Sequence, residues 1–154
     1  YATTPVLSYT SSAQFQTDIS NGNITYPYQW VMYDPEEWTA TPVNEQQDPA
    51  KYMRLFGQLA HANGLKVIQA PALDLGSVPG SLLPRQPGES INSWYGRVNI
   101  AGAAAAYGDI YILQDESNTT TLSVYDSMFN SVAAQARAAQ ARATRARPRE
   151  PRRF

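Results

Sequence analysis

Gly22, Gly64 and Gly108 stand 42 and 44 residues apart, and each closes a helix-patterned segment just ahead of a β-rich run. Glycine reaches the left-handed conformation that ends a helix without a Cβ clash. The segment Ser12–Ser20 puts Phe15 and Ile19 on one face and stops at Asn21-Gly22. Asp48 and Pro49 give an N-cap and first-turn pair for a helix with Tyr52, Leu55, Phe56, Leu59 and Ala60 in its apolar stripe, stopped by Asn63-Gly64. A third helix runs from about Asn92, with Trp94, Val98, Ala101 and Ala105 on one face, to Gly108. Strands follow these stops around Gln29–Tyr33, Leu65–Ala70 and Asp109–Gln114, with Val6–Tyr9 as the first of the series. A fourth helix begins near Thr121 and is expected to bury Leu122, Tyr125, Phe129 and Val132. Strands joined by helices at a steady spacing pair in parallel, because an antiparallel pair needs only a short turn. The expected fold is α/β, with four βα units on one parallel sheet.

The connections narrow this further. Turns after helices take two or three residues, whereas the loops after strands, 34–47 and 71–90, are long. Barrels of βα units have this asymmetry, with functional loops at the carboxyl ends of the strands. A (β/α)8 barrel takes about 250 residues. A chain of 154 residues therefore fits the first half of one. An open flavodoxin-like sheet is the other arrangement of four parallel strands, but no glycine-rich phosphate loop follows any strand.

Composition excludes several functions. With no Cys, disulfides and thiolate metal sites are ruled out, and the single His61, late in an amphipathic helix, reads as structural. No cofactor or metal is expected. No apolar run approaches the roughly 18 residues of a membrane span. Thr, Ser, Asn, Gln and Tyr are abundant and Lys is scarce, which suits a secreted bacterial protein, and the start at Tyr1 suggests a processed or truncated product.

The charge is divided. Residues 1–136 carry twelve acids against five Lys and Arg, whereas residues 137–154 carry seven Arg against Glu150. From Ala133 the hydrophobic pattern gives way to Ala, Arg and Pro, all encoded by GC-rich codons, as in a gene read out of frame. The expected division is a partial barrel domain over 1–138 and a basic tail over 139–154, disordered or out of frame, with a ragged helix end from Arg142. A genuine arginine arm for an anionic partner is the rival reading, but its arginines are scattered around the helix with no interleaved aromatics, which disfavours nucleic acid.

Candidate chemistry lies where the strands end. Asp34, Glu36 and Glu37 follow the second strand amid Tyr28, Trp30, Tyr33 and Trp38. Flat aromatic faces beside carboxylates and amides are suited to sugar rings, so Asp34 and Glu36 are expected to contact substrate and Trp38 to stack on it. Trp30 lies within the strand and reads as core. Gln69 and Asp74 bracket the end of the third strand as further substrate-binding candidates. Gln114-Asp115-Glu116 leaves the fourth strand, and glycoside hydrolysis needs two carboxyl groups. Glu116 is the expected acid/base, with its pKa raised by burial or by Asp115. The competing reading makes Asp34-Pro-Glu-Glu37 a solvated turn, Asp74 a loop cap and Asp115 to Thr119 a helix cap.

Tyr33-Asp-Pro-Glu-Glu-Trp38, Thr41-Pro42, Glu45-Gln-Gln47 and Leu65-Lys-Val-Ile-Gln-Ala-Pro71 together resemble a group of uncharacterised secreted actinobacterial proteins with a TIM-barrel, glycoside-hydrolase-like fold. The resemblance covers roughly residues 5–138. It implies a carbohydrate-active barrel whose partner is a polysaccharide or oligosaccharide. Two motifs depart from such enzymes: many barrel glycosidases end the fourth strand in Asn-Glu, whereas here Asp115 precedes Glu116. Chitinase-like enzymes place alternating Asp residues before the Glu, and Asp109-Ile-Tyr-Ile-Leu-Gln-Asp-Glu116 keeps only the outer pair. A half-barrel is expected to be inactive alone and to self-associate through its open strand edges. A non-catalytic cell-wall binding module and a small α/β protein with an anion-binding tail are the alternatives.

Overall fold

Four short strands, β1 (Val6–Tyr9), β2 (Trp30–Tyr33), β3 (Lys66–Gln69) and β4 (Ile110–Tyr111), pair in parallel in the order β1-β2-β3-β4. They come from a computed structural model that describes residues 3–115 and 121–146. The register places Tyr9, Tyr33, Gln69 and Tyr111 in one row across the sheet. Side chains alternate between faces along a strand, so this row and the Leu7–Val31–Val67 row share a face. That face carries the core.

The helices are α1 (Ser12–Ser20), α2 (Val43–Gln47), α3 (Pro49–Ala62), α4 (Ile91–Arg97), α5 (Ile100–Tyr107) and α6 (Leu122–Ala146). Phe56 of α3 stacks on Phe15 of α1 at 4.1 Å and on Tyr33 at 4.9 Å, joining two helices to the sheet. Ser11 caps α1 by accepting from the Gln14 N–H, and Asp48 caps α3 by accepting from the Lys51 N–H. Gly57 lets α3 approach α5, since a Cβ there would press on the backbone of Tyr107. Helix α6 then packs along α5 through Met128, Val132 and Ala139.

Several expectations need correction. The segment from Asn92 to Gly108 is two helices rather than one, because Asn99 takes a left-handed conformation (φ 58°) that ends the first. Asn tolerates that region better than most residues do. Gly22 and Gly64 are left-handed stops, but Gly108 is extended at φ −109°. Space explains this glycine, since a Cβ would lie 2.8 Å from Gln69 Cγ. The fourth strand is only two residues long, although Gln114 still bridges to Ala72.

The stripe expected to bury α6 is rotated. Leu122, Tyr125 and Phe129 are exposed, and of that set only Val132 is buried. Met128, Val132 and Ala139 are buried instead, where α6 packs along α5. The compositional break at residue 138 is not a break in the helix, which runs on to Ala146. Residues 147–154 lie outside the described residues. Among the described residues no helix is long and apolar enough to cross a membrane.

Candidate functional site at the strand ends

All four strands point their carboxyl ends at one rim, and the loops 34–47 and 71–90 rise from it. Asp34 is the first residue beyond β2, and its N–H donates to Tyr9 O at 2.9 Å, continuing the ladder one step. Tyr33 points into the helix layer, so Asp34 takes the opposite face. There its Oδ1 accepts a hydrogen bond from Gln114 Nε2, which also donates to Ala70 O at 2.8 Å. Residues 80 positions apart are thus joined across the tops of three strands. Burial pushes the Asp34 carboxyl above its usual pKa, and the Gln114 bond pulls it part of the way back.

The two loops are tied together beside this pair. Asp74 Oδ1 accepts from the Glu37 N–H at 3.0 Å, and the Ala72 N–H donates to Pro35 O at 3.1 Å. Trp38 is 47% exposed, with its Nε1 donating to Thr41 Oγ1 at 3.1 Å. Gln46 Nε2 reaches Trp38 O and Thr41 O, each at 2.7 Å, and so fixes the backbone beneath the indole. The result is a half-exposed indole held by Thr41, in the loop that Asp34 begins. Glu36 is half-buried in the same loop, and its N–H donates to Thr41 Oγ1 at 3.2 Å.

Two buried networks support the rim from the helix side. Glu45, fully buried, accepts from the Ser12 N–H at 2.7 Å, the Ala13 N–H at 3.1 Å, Ser11 Oγ at 3.2 Å and the Tyr33 hydroxyl at 2.8 Å. It couples the loop after β2 to the start of α1, where a negative group also meets the favourable end of the helix dipole. Burial, followed by the charge of Glu45, holds the Tyr33 hydroxyl well above its usual pKa. On the other flank the Tyr95 and Tyr111 hydroxyls lie 2.7 Å apart. Burial lifts Tyr111 to about 12, the bond to Tyr95 opposes this, and the nearby Asp115 charge adds to it.

The structure therefore gathers Asp34, Glu36, Trp38 and Asp74 at one rim, with Asp115 buried on the β4 side of it. Gln69 is not brought there. Its side chain is buried beneath α3, donating from Nε2 to Met53 O at 3.0 Å, and its Oε1 has no partner among the described residues. Strand alternation turns Gln69, like Val67, toward the helix layer, which removes it from the expected substrate-facing set. Glu116 lies outside the described residues. His61 Nε2 sits 3.0 Å from Asp109 Oδ2, at the opposite end of the sheet from the rim.

Sequence reasoning missed Gln114 as a partner of Asp34 and Glu45 as an internal anchor. Gln114 follows the last apolar residue of its strand, a position that marks a rim residue but does not name its partner. Among the described residues, no group of three or more His, Asp or Glu side chains is placed to hold a metal ion. No protein-family model, curated protein or solved structure matches the chain.

Proposed function

We propose that this chain is a carbohydrate-binding portion of a secreted, glycoside-hydrolase-like (β/α) barrel, with the sugar lying across the rim between Asp34 and Trp38. The observation that carries the reading is the Asp34–Gln114 pair, a carboxyl and an amide joined at the strand ends, with an exposed indole in the loop that Asp34 begins. Carboxyl oxygens and amides hydrogen-bond sugar hydroxyls, and an aromatic face packs against the C–H side of the ring. Asp74 holds the two loops in place, and Glu36 adds a second acid on the Trp38 side. Glu116 remains the proposed acid/base, with Asp115 beside it, in a barrel whose other strands complete the second carboxyl position. With four strands alone, the chain binds sugar without turning it over.

The test is retention on a glycan array followed by calorimetric titration of the best oligosaccharide. Wild type is expected to bind, and Trp38→Ala to bind about tenfold more weakly, the loss expected for one aromatic contact of about 1.4 kcal/mol. Binding that is identical in Trp38→Ala and Asp34→Asn, or no retained glycan at all, rejects the reading.

A further inference from the structure

Parallel sheets are normally covered on both faces. Here α1, α3 and α5 lie on the face of Tyr9, Tyr33 and Gln69. The other face presents Val6, Trp30 and Lys66 in one row and Ser8, Met32, Ile68 and Ile110 in the next. Val6 is 41% and Ile110 44% exposed, and Trp30, Met32 and Ile68 are only half-buried. Lys66, with its ammonium 5.2 Å from the centre of the Trp30 ring, stands at the amino-terminal edge, where its end can stay in water. Among the described residues both β1 and β4 are free edges. Beyond β4, helix α6 leaves Leu122, Val124 and the stacked pair Tyr125–Phe129 open to solvent. An open sheet face, two unpaired edges and an apolar helix stripe would all be covered by one further set of βα units.

We propose that a second copy of this chain supplies them. Two copies related by a two-fold axis parallel to the strands would set β4 of each beside β1 of the other. Both junctions are then parallel, the ring closes at eight strands, and no edge is left. The inference rests on the half-barrel reading above and identifies the missing half.

Area and charge are both compatible with a copy. Four strands at about 4.8 Å spacing, over about four residues of roughly 3.3 Å each, give a face of roughly 250 Å² per copy. Two faces bury about 500 Å², to which the two new strand junctions and the α6 stripes add. In the closed ring α6 lies beside α1 of the other copy. Helix α6 exposes Arg137, Arg142 and Arg145, whereas α1 carries Asp18 and neither Lys nor Arg. The arginines of each copy thus face a helix whose single charged residue, Asp18, is acidic.

The experiment is light scattering on the full chain at tens of micromolar, with Ile110→Lys as the disrupting variant and Gln58→Lys, on exposed α3 surface away from both sheet edges, as the control. Ile110 is already exposed in one copy, so Lys costs that copy little; circular dichroism checks that both variants fold. Wild type and Gln58→Lys are expected at twice the 17.0 kDa of one chain, and Ile110→Lys at 17.0 kDa. A folded wild-type monomer, or a dimer indifferent to Ile110→Lys, overturns the proposal. A monomer that still binds sugar sinks the second copy alone, whereas a dimer without sugar binding sinks the carbohydrate reading and leaves this one standing.

Discussion

Replacing Glu45 with Ala tests whether the rim is built from within. The side chain is fully buried and accepts four hydrogen bonds, of which those from the Ser12 N–H and the Tyr33 hydroxyl are themselves buried. An unsatisfied buried donor costs about 1–3 kcal/mol. Two such donors, with a small cavity and the loss of an anionic group at the α1 start, bring Glu45→Ala to about 3–5 kcal/mol. That is a large share of the roughly 5–15 kcal/mol that holds a domain folded. Glu45→Gln keeps the volume but turns an N–H toward other donors, for about 1–3 kcal/mol. Urea unfolding followed by tryptophan fluorescence reads these costs. With a slope of about 2 kcal/mol per molar, Glu45→Ala should lower the midpoint by about 2 M. In a double-mutant cycle with Tyr33→Phe, the pair should couple by about 1–2 kcal/mol. A midpoint within about 0.3 M of wild type, or additive single effects, would refute the assignment of Glu45 as the anchor.

Two further outcomes follow from other parts of the fold. Gly57→Ala should destabilise by about 1–3 kcal/mol in the same assay, because the added Cβ meets Tyr107 and forces α3 from α5; an unchanged midpoint would show that the helices can part freely. Asp34→Asn should change stability in a pH-dependent way. The folded-state pKa of Asp34 is raised, so the native protein holds this proton more tightly than the unfolded chain, and wild type loses stability as pH rises through that range. Stability of Asp34→Asn relative to wild type should therefore increase between about pH 3 and about pH 6. A relative decrease over that window would mean that the ionised carboxyl is favoured at the rim.

Much of the architecture was legible because it depends on local chemistry. Asp48 with Pro49, and the left-handed Gly22 and Gly64, settle where helices begin and end without help from distant residues. Helix ends followed by β-runs then force parallel pairing. The failures lie where a choice was tertiary. The face that α6 buries is decided by its packing against α5, which its own periodicity cannot reveal. Gly108 looks like Gly64 in sequence but answers to the Gln69 side chain, 39 residues earlier in the chain.

The site divides in the same way. Asp34, Glu36, Trp38 and Asp74 were identifiable because strand ends deliver loop residues to one rim. Pairing Asp34 with Gln114 needs the strand order, and the placement of Gln69 needs its face. Glu45 was hidden because three of its four donors lie 32 to 34 residues away at the start of α1 and its neighbours resemble an ordinary short helix.

The central claim is that the chemistry sits at the carboxyl rim, around Asp34, Trp38 and Gln114. Amide shift mapping by NMR, as a soluble oligosaccharide that the array retains is titrated in, tests it most directly. The account expects the changes to concentrate at Asp34, Glu37, Trp38, Asp74 and Gln114, and to diminish in Asp34→Asn. Changes gathered instead in the groove between α4 and α6 around Ser93, Arg97 and Ser127, or along the arginines of α6, would contradict it.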